Sequence, residues 1–152
     1  MNSLRILCFL GLSLCLYSCS GDRLYEDYIS VNETSGWNQY DSLSFVIGDL
    51  PIQDKKPIIG IRFTENYPFS NFYMRVISKD STGQITENRL INIPLFDSKS
   101  GEPLGSGFGN TYTKFDTMPF QLKEGTKSIV LLQYMRQENL PGIESAGIKI
   151  LK

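Results

Sequence analysis

Any chemistry in this chain has to be done without histidine, because the sequence contains none. That removes the commonest general base and the commonest metal ligand together. Ser–His and Cys–His nucleophilic pairs are excluded, and a zinc centre loses its usual ligands. Sixteen Asp and Glu residues leave a glycosidase-type carboxylate pair formally open, since that reaction needs only two carboxyl groups at a set distance. None of them stands out from its surroundings, and solvated surface carboxylates are the ordinary case. Gly105-Ser106-Gly107-Phe108-Gly109 has the glycines of a phosphate loop, but not the Lys-Ser or Lys-Thr and the helix start that must follow. A loop or bulge fits it better. Asp97-Ser98-Lys99-Ser100-Gly101 has the outline of a calcium loop, but Lys99 stands where a carboxylate is wanted, so a plain turn is expected. These residues point to no enzyme and to no metal or other cofactor.

Cys19 has a clearer chemical fate. Arg5 gives a short basic start, Ile6 to Tyr17 is apolar, and Leu16-Tyr17-Ser18-Cys19 closes the segment. A basic start, a short apolar run and a small residue at the cut make a secretory signal peptide. The run is shorter than the about 20 residues a membrane-spanning helix needs. A small residue followed at once by cysteine resembles the lipobox of bacterial lipoproteins, in which the thiol takes fatty acyl chains such as palmitate and the cysteine becomes the new N-terminus. Cys8 lies inside the apolar run and Cys15 follows bulky Leu14, so only Cys19 fits. Two or more acyl chains, at about 0.8 kcal/mol per buried methylene, anchor a protein stably. We therefore expect residues 1–18 to be a lipoprotein signal peptide, 19–23 a lipid tether and 24–152 one domain. The residues after Cys19, Ser20-Gly21-Asp22-Arg23, lack an aspartate directly after the cysteine and lack a dense acidic cluster. By resemblance to sorted lipoproteins, this favours the periplasmic face of the outer membrane.

The elements that must carry any site are strands. The mature chain keeps Cys19 alone of three cysteines, so the domain has no disulfide and depends on its core. Formal charge is −1 with no basic stripe, which argues against nucleic acid. Leu24 to Val31 and Leu43 to Ile47 read as strands. Ile58 to Thr64 alternates cleanly, with Ile59, Ile61 and Phe63 on one face and Gly60, Arg62 and Thr64 on the other. Phe72 to Ser78 does the same, and Lys79-Asp80-Ser81-Thr82-Gly83 is a hairpin turn leading into Gln84 to Leu95. Pro94 marks an edge or a bulge there. Thr111 to Phe115 reads as a short strand, broken at Asp116 to Pro119 and resumed at Phe120 to Leu122. Ser128 to Met135 is apolar on both faces, which implies a central strand covered on both sides. Ile143 to Leu151 closes the chain. Many short strands between turn signals give an all-β fold, a single antiparallel β-sandwich of jelly-roll or immunoglobulin-like topology.

A set of short motifs follows in order. Trp37 precedes Asp41 and Phe45, and Arg62 precedes Tyr67-Pro68-Phe69-Ser70-Asn71. Then come Leu104-Gly105-Ser106-Gly107, Gln133-Tyr134-Met135-Arg136, Leu140-Pro141-Gly142-Ile143 and Ala146-Gly147-Ile148. Together they resemble the GldH family of gliding-motility lipoproteins, from about Tyr25 to Ile150. The resemblance implies a lipid-anchored envelope protein that is a non-catalytic accessory or scaffold of the gliding and secretion apparatus. Its implied partners are envelope motility or secretion proteins, with membrane lipid held through acylated Cys19. Glu102-Pro103-Leu104 departs from the aromatic expected before the Gly-x-Gly stretch.

Two residue groups are candidates for binding. If Ile58 to Thr64 and Phe72 to Ser78 pair as a hairpin, Arg62, Tyr73 and Arg75 share one outward face, and Tyr and Arg are enriched at interface hot spots. Trp37, Tyr40, Tyr67, Phe69 and Tyr112 lie in or near loops. Displayed rings would make the domain a glycan-binding module of the cell envelope, the alternative to a scaffold. Plugging the ends of the sandwich is the other use of such rings. Asp41-Ser42-Leu43, Asp80-Ser81-Thr82 and Asp116-Thr117-Met118 resemble a short O-glycosylation motif of exported proteins.

Overall fold

The computed structural model describes residues 21–32 and 34–152. The expected signal peptide and Cys19 lie outside the described residues. Eleven strands follow in order: β1 (Arg23–Ser30), β2 (Trp37–Asn38), β3 (Ser42–Val46), β4 (Ile58–Thr64), β5 (Asn71–Lys79), β6 (Ile85–Pro94), β7 (Ser106–Phe108), β8 (Thr111–Thr117), β9 (Ser128–Gln133), β10 (Asn139–Leu140) and β11 (Ile143–Leu151). All pairings between strands are antiparallel. One sheet has the order β1-β11-β4-β8-β7 and the other β3-β9-β5-β6, with β2 and β10 forming a small pair. The fold is the expected β-sandwich. Successive long strands cross between the two sheets; among the described strands, β5 with β6 and the short β7 with β8 are the sequence neighbours that pair within one sheet. This is the jelly-roll order.

Alternation builds the core. Ile59, Ile61 and Phe63 of β4 and Ala146, Ile148 and Ile150 of β11 point inward from one sheet. Leu43, Phe45, Phe72, Met74, Val76, Ile129 and Leu131 meet them from the other. Each large side chain taken out of water contributes about 1.5–3 kcal/mol. The β5–β6 turn closes as its sequence requires. The Asp80 carboxylate accepts from the backbone N–H groups of Thr82 at 2.8 Å and Gln84 at 3.0 Å, and Gly83 takes a positive φ of 82°. Pro94 ends β6, an edge strand, where its missing N–H is tolerated.

Three local expectations are corrected. β8 runs through Asp116 to Thr117, because Asp116 and Thr117 pair with Ile59 and Ile58 of β4. Phe120 to Leu122 forms no strand; Leu122 is a buried plug that exchanges backbone hydrogen bonds with Asp54 and Lys55. β9 is central, between β3 and β5, as expected, but its outward face is covered only in part: Val130 is buried and Leu132 half-buried. Ile129 and Leu131 are fully buried, whereas Tyr134, just past its outward-facing Val130 and Leu132, is 52% exposed.

Candidate interaction surfaces

The presumed hairpin of β4 and β5 does not form. The two strands belong to different sheets, so Arg62 faces out from one side of the sandwich and Tyr73 and Arg75 from the other. The segment between them is the reason. Tyr67 is buried, donates its hydroxyl to the Asn71 carbonyl at 2.8 Å and packs edge-on against Phe69 and Phe72. Burying that ring at the end of the core carries the chain across from one sheet to the other.

Arg62 pairs its Nε with the Glu144 carboxylate at 2.8 Å, and the other Glu144 oxygen accepts from the Thr111 hydroxyl at 3.4 Å. The pair is half-exposed, so its own contribution to stability is small. On the opposite side, the Arg75 guanidinium lies 4.5 Å from the centre of the Tyr134 ring and donates to the Asn88 side chain at 3.2 Å. Tyr134 is fixed beside Tyr73 by its backbone N–H, which donates to the Tyr73 carbonyl. Register places Leu132 and Leu90 on either side of Arg75. Tyr73, Leu90, Tyr134 and Val46 are all among the exposed large hydrophobic side chains. The outer face of the four-stranded sheet thus carries an aromatic and apolar patch about Arg75, bordered by Asn88 and Asn92. Its signal in the sequence is the second apolar face of Ser128 to Met135, which reads there as the mark of a central strand covered on both sides.

The loop aromatics are mostly plugs. Trp37 is 1% exposed, tilts against Phe72 and donates its indole N–H to the Asp41 carbonyl at 2.9 Å. Tyr67 is buried, and burial pushes its hydroxyl well above the ordinary tyrosine pKa. Phe69 is half-buried against Tyr67. Tyr112 leans on Phe63 and donates to the Glu65 carboxylate at 2.9 Å, a bond that raises its pKa. Trp37 and Tyr67 present no ring face on which a sugar could stack. Tyr40 is the displayed member of this group.

Asp97 makes the expected turn. Its carboxylate accepts from the backbone N–H groups of Ser100 and Lys99 at 2.8 and 2.9 Å, and these bonds hold its pKa below the usual range. The glycine-rich stretch is the β7–β8 hairpin, with Phe108 at its tip 96% exposed. Among the described residues no three His, Cys, Asp or Glu side chains converge as a metal site, and no helix is long and apolar enough to cross a membrane.

Comparison with known proteins gives the family. The model of the GldH lipoprotein family matches residues 23–150. The chain belongs to the GldH lipoprotein family. A relative in it, the gliding motility lipoprotein GldH of Flavobacterium johnsoniae, is 24% identical over 143 residues, covering 88% of this chain and 83% of the relative. Its membership makes this chain a GldH-like lipoprotein of gliding motility, a family of the cell envelope. Among solved structures, the exo-beta-1,3-galactanase of Phanerochaete chrysosporium matches with a TM-score of 0.41 and 12% identity, over 82% of this chain and 27% of that one. The VP2 subviral particle of infectious bursal disease virus matches with a TM-score of 0.37 and 10% identity, over 85% and 34%. Nothing about a site carries over from likenesses this distant.

Proposed function

We propose that this protein is a non-catalytic scaffold of the gliding-motility machinery, held by acylated Cys19 at the periplasmic face of the outer membrane. In this reading it binds envelope motility or secretion proteins through the outer face of its four-stranded sheet. The observation that supports this is the cluster of Tyr73, Arg75, Tyr134 and Leu90, aromatic and apolar side chains held on one exposed sheet face by the Arg75–Tyr134 stack. Rings and arginine together are the composition of interface hot spots. An exposed apolar patch on a rigid sheet costs little ordering when a partner covers it. Cys19 stands four positions before Arg23, where β1 begins. At about 3.3–3.6 Å per extended residue, the tether keeps the sandwich within about 15 Å of its anchor.

The test is recovery of partners from gently solubilised outer membranes, using the tagged, natively lipidated chain. Wild type should bring down motility or secretion proteins. Tyr73→Ala and Tyr134→Ala should lose most of them while keeping the wild-type melting curve. Recovery of the protein alone, or equal recovery by both variants, would overturn the reading.

A further inference from the structure

The outer face of the other sheet carries a different arrangement. Tyr28 of β1, Gly147 of β11, Gly60 of β4 and Phe115 of β8 stand directly opposite one another across four adjacent strands. Neither glycine has the left-handed backbone that calls for glycine. Each lies within a strand, where glycine is normally destabilising. What they do is leave room. A Cβ at Gly147 would sit 2.2 Å from Cδ1 of Tyr28, and one at Gly60 would sit 2.6 Å from the Tyr28 hydroxyl and 3.1 Å from Cε1 of Phe115. The Tyr28 ring therefore lies down across β11, and its hydroxyl end and the edge of Phe115 both border the space over Gly60. Tyr28 remains 37% exposed and Phe115 50% exposed, so the aromatic row keeps a surface toward solvent.

The rows on either side are polar. Two residues along the strands, Ser30, Ser145, Arg62, Thr113 and Ser106 form the next row, about 7 Å away by strand geometry. This row opens into a depression of about 600 Å³, lined by Ser30, Arg62, Thr64, Asn66, Asn110 and Glu144 among others. Glu144 holds only the Nε of Arg62, which leaves the other guanidinium N–H groups to donate elsewhere. On the far side of the aromatic row, Glu26 stands opposite Lys149, whose ammonium lies 6.0 Å from the centre of the Phe115 ring.

We propose that the Tyr28–Phe115 row with the Arg62 depression is a carbohydrate-binding site for a chain of pyranose sugars. A pyranose has an apolar C–H face that stacks on an aromatic surface, and a rim of hydroxyls that both donate and accept. Serine, threonine and asparagine side chains offer both functions, and the Arg62–Glu144 pair adds a charged donor and acceptor. A protein hot spot would instead seat an apolar anchor in an apolar pocket, and this depression is lined by hydroxyls, amides and charges. The site goes beyond the scaffold reading and lies on the opposite face of the sandwich, so loss of one leaves the other standing.

The experiment is native electrophoresis of the full chain in detergent, through gels containing laminarin, xylan, mannan, dextran or solubilised peptidoglycan. At least one probe should retard the wild type. Phe115→Ala and Arg62→Gln should each weaken that retardation at least tenfold while melting as wild type does. Phe115→Trp should strengthen it and shift tryptophan emission when sugar is added. The Trp variant guards against loss of fold, since it enlarges the ring in place. No retardation by any of the five probes, or equal retardation of wild type, Phe115→Ala and Arg62→Gln, would overturn the proposal.

Discussion

Gln133→Leu is a sharp test of how the loop end of the sandwich is held. Gln133 ends β9 and is 3% exposed, an amide facing a hydrophobic core. Its Nε2 donates to the Gln137 carbonyl at 2.8 Å, and its Oε1 accepts from the Met135 N–H at 2.8 Å. A longer contact of 3.5 Å reaches the Trp37 carbonyl. One side chain thus ties the turn after β9 to the strand that carries Trp37. Leucine keeps the bulk and removes both good bonds, each worth about 1 kcal/mol net. The Met135 N–H and Gln137 carbonyl are then left half out of water, at about 1 kcal/mol or more each. Burying leucine in place of the amide returns about 1 kcal/mol. The balance is a loss of about 3 kcal/mol, which for a domain of this size lowers Tm by about 9–12 °C. The assay is thermal melting followed by far-ultraviolet circular dichroism and by emission from Trp37, the single tryptophan. Both signals should shift together in a two-state transition. A Tm within about 2 °C of wild type would refute the reasoning, because it would mean that water satisfies those groups as well as Gln133 does.

Other predictions follow the same logic. Gly142 has φ 78°, and a Cβ there would sit 2.3 Å from the Tyr67 backbone nitrogen. Gly142→Ala should therefore cost at least about 2 kcal/mol in urea unfolding, and a smaller loss would mean the Tyr67 corner yields easily. Tyr67 is kept protonated by burial. Its contribution is full below the ordinary tyrosine pKa near 10 and is lost as pH rises toward the raised folded value, by up to about 1.4 kcal/mol per pH unit. Tyr67→Phe should flatten the fall in stability between about pH 10 and 11, and an unchanged slope would show that the hydroxyl is not sheltered. Intact mass of the native protein should show a chain beginning at acylated Cys19. Absence of hexose increments would remove glycosylation at the exposed Ser42, Ser81 and Thr117.

Strands were legible where alternation was strict. Ile58 to Thr64 was read with its boundaries and both faces, because Ile59, Ile61 and Phe63 leave no other period. The Asp80 turn was legible because its polar side chain and Gly83 write the geometry locally. Pairing was not legible. β4 and β5 are close in sequence and both alternate, and nothing local says that burying Tyr67 sends them to different sheets. The flat aromatic row was invisible for the same reason. Tyr28, Gly60, Phe115 and Gly147 come from four distant parts of the chain, and an isolated strand glycine reads only as a weak point. Trp37 and Tyr112 were ambiguous, because a ring near a loop has the same sequence whether it caps the core or faces solvent.

The order of the five-stranded sheet also governs how the chain can fold. β1 has one neighbour, β11, and β11 sits between β1 and β4. The first long strand to emerge therefore waits for the last before it gains any ladder partner. Such long-range closure is slow compared with local hairpin formation. Until β11 arrives, β1 and β4 both present open edges, the state in which strands pair with the wrong chain. The β5–β6 hairpin can form early, but the five-stranded sheet cannot. Chaperone protection should thus matter most in the interval before Ile143 to Leu151 is released, and a chain cut just before β11 should aggregate rather than fold with one strand fewer.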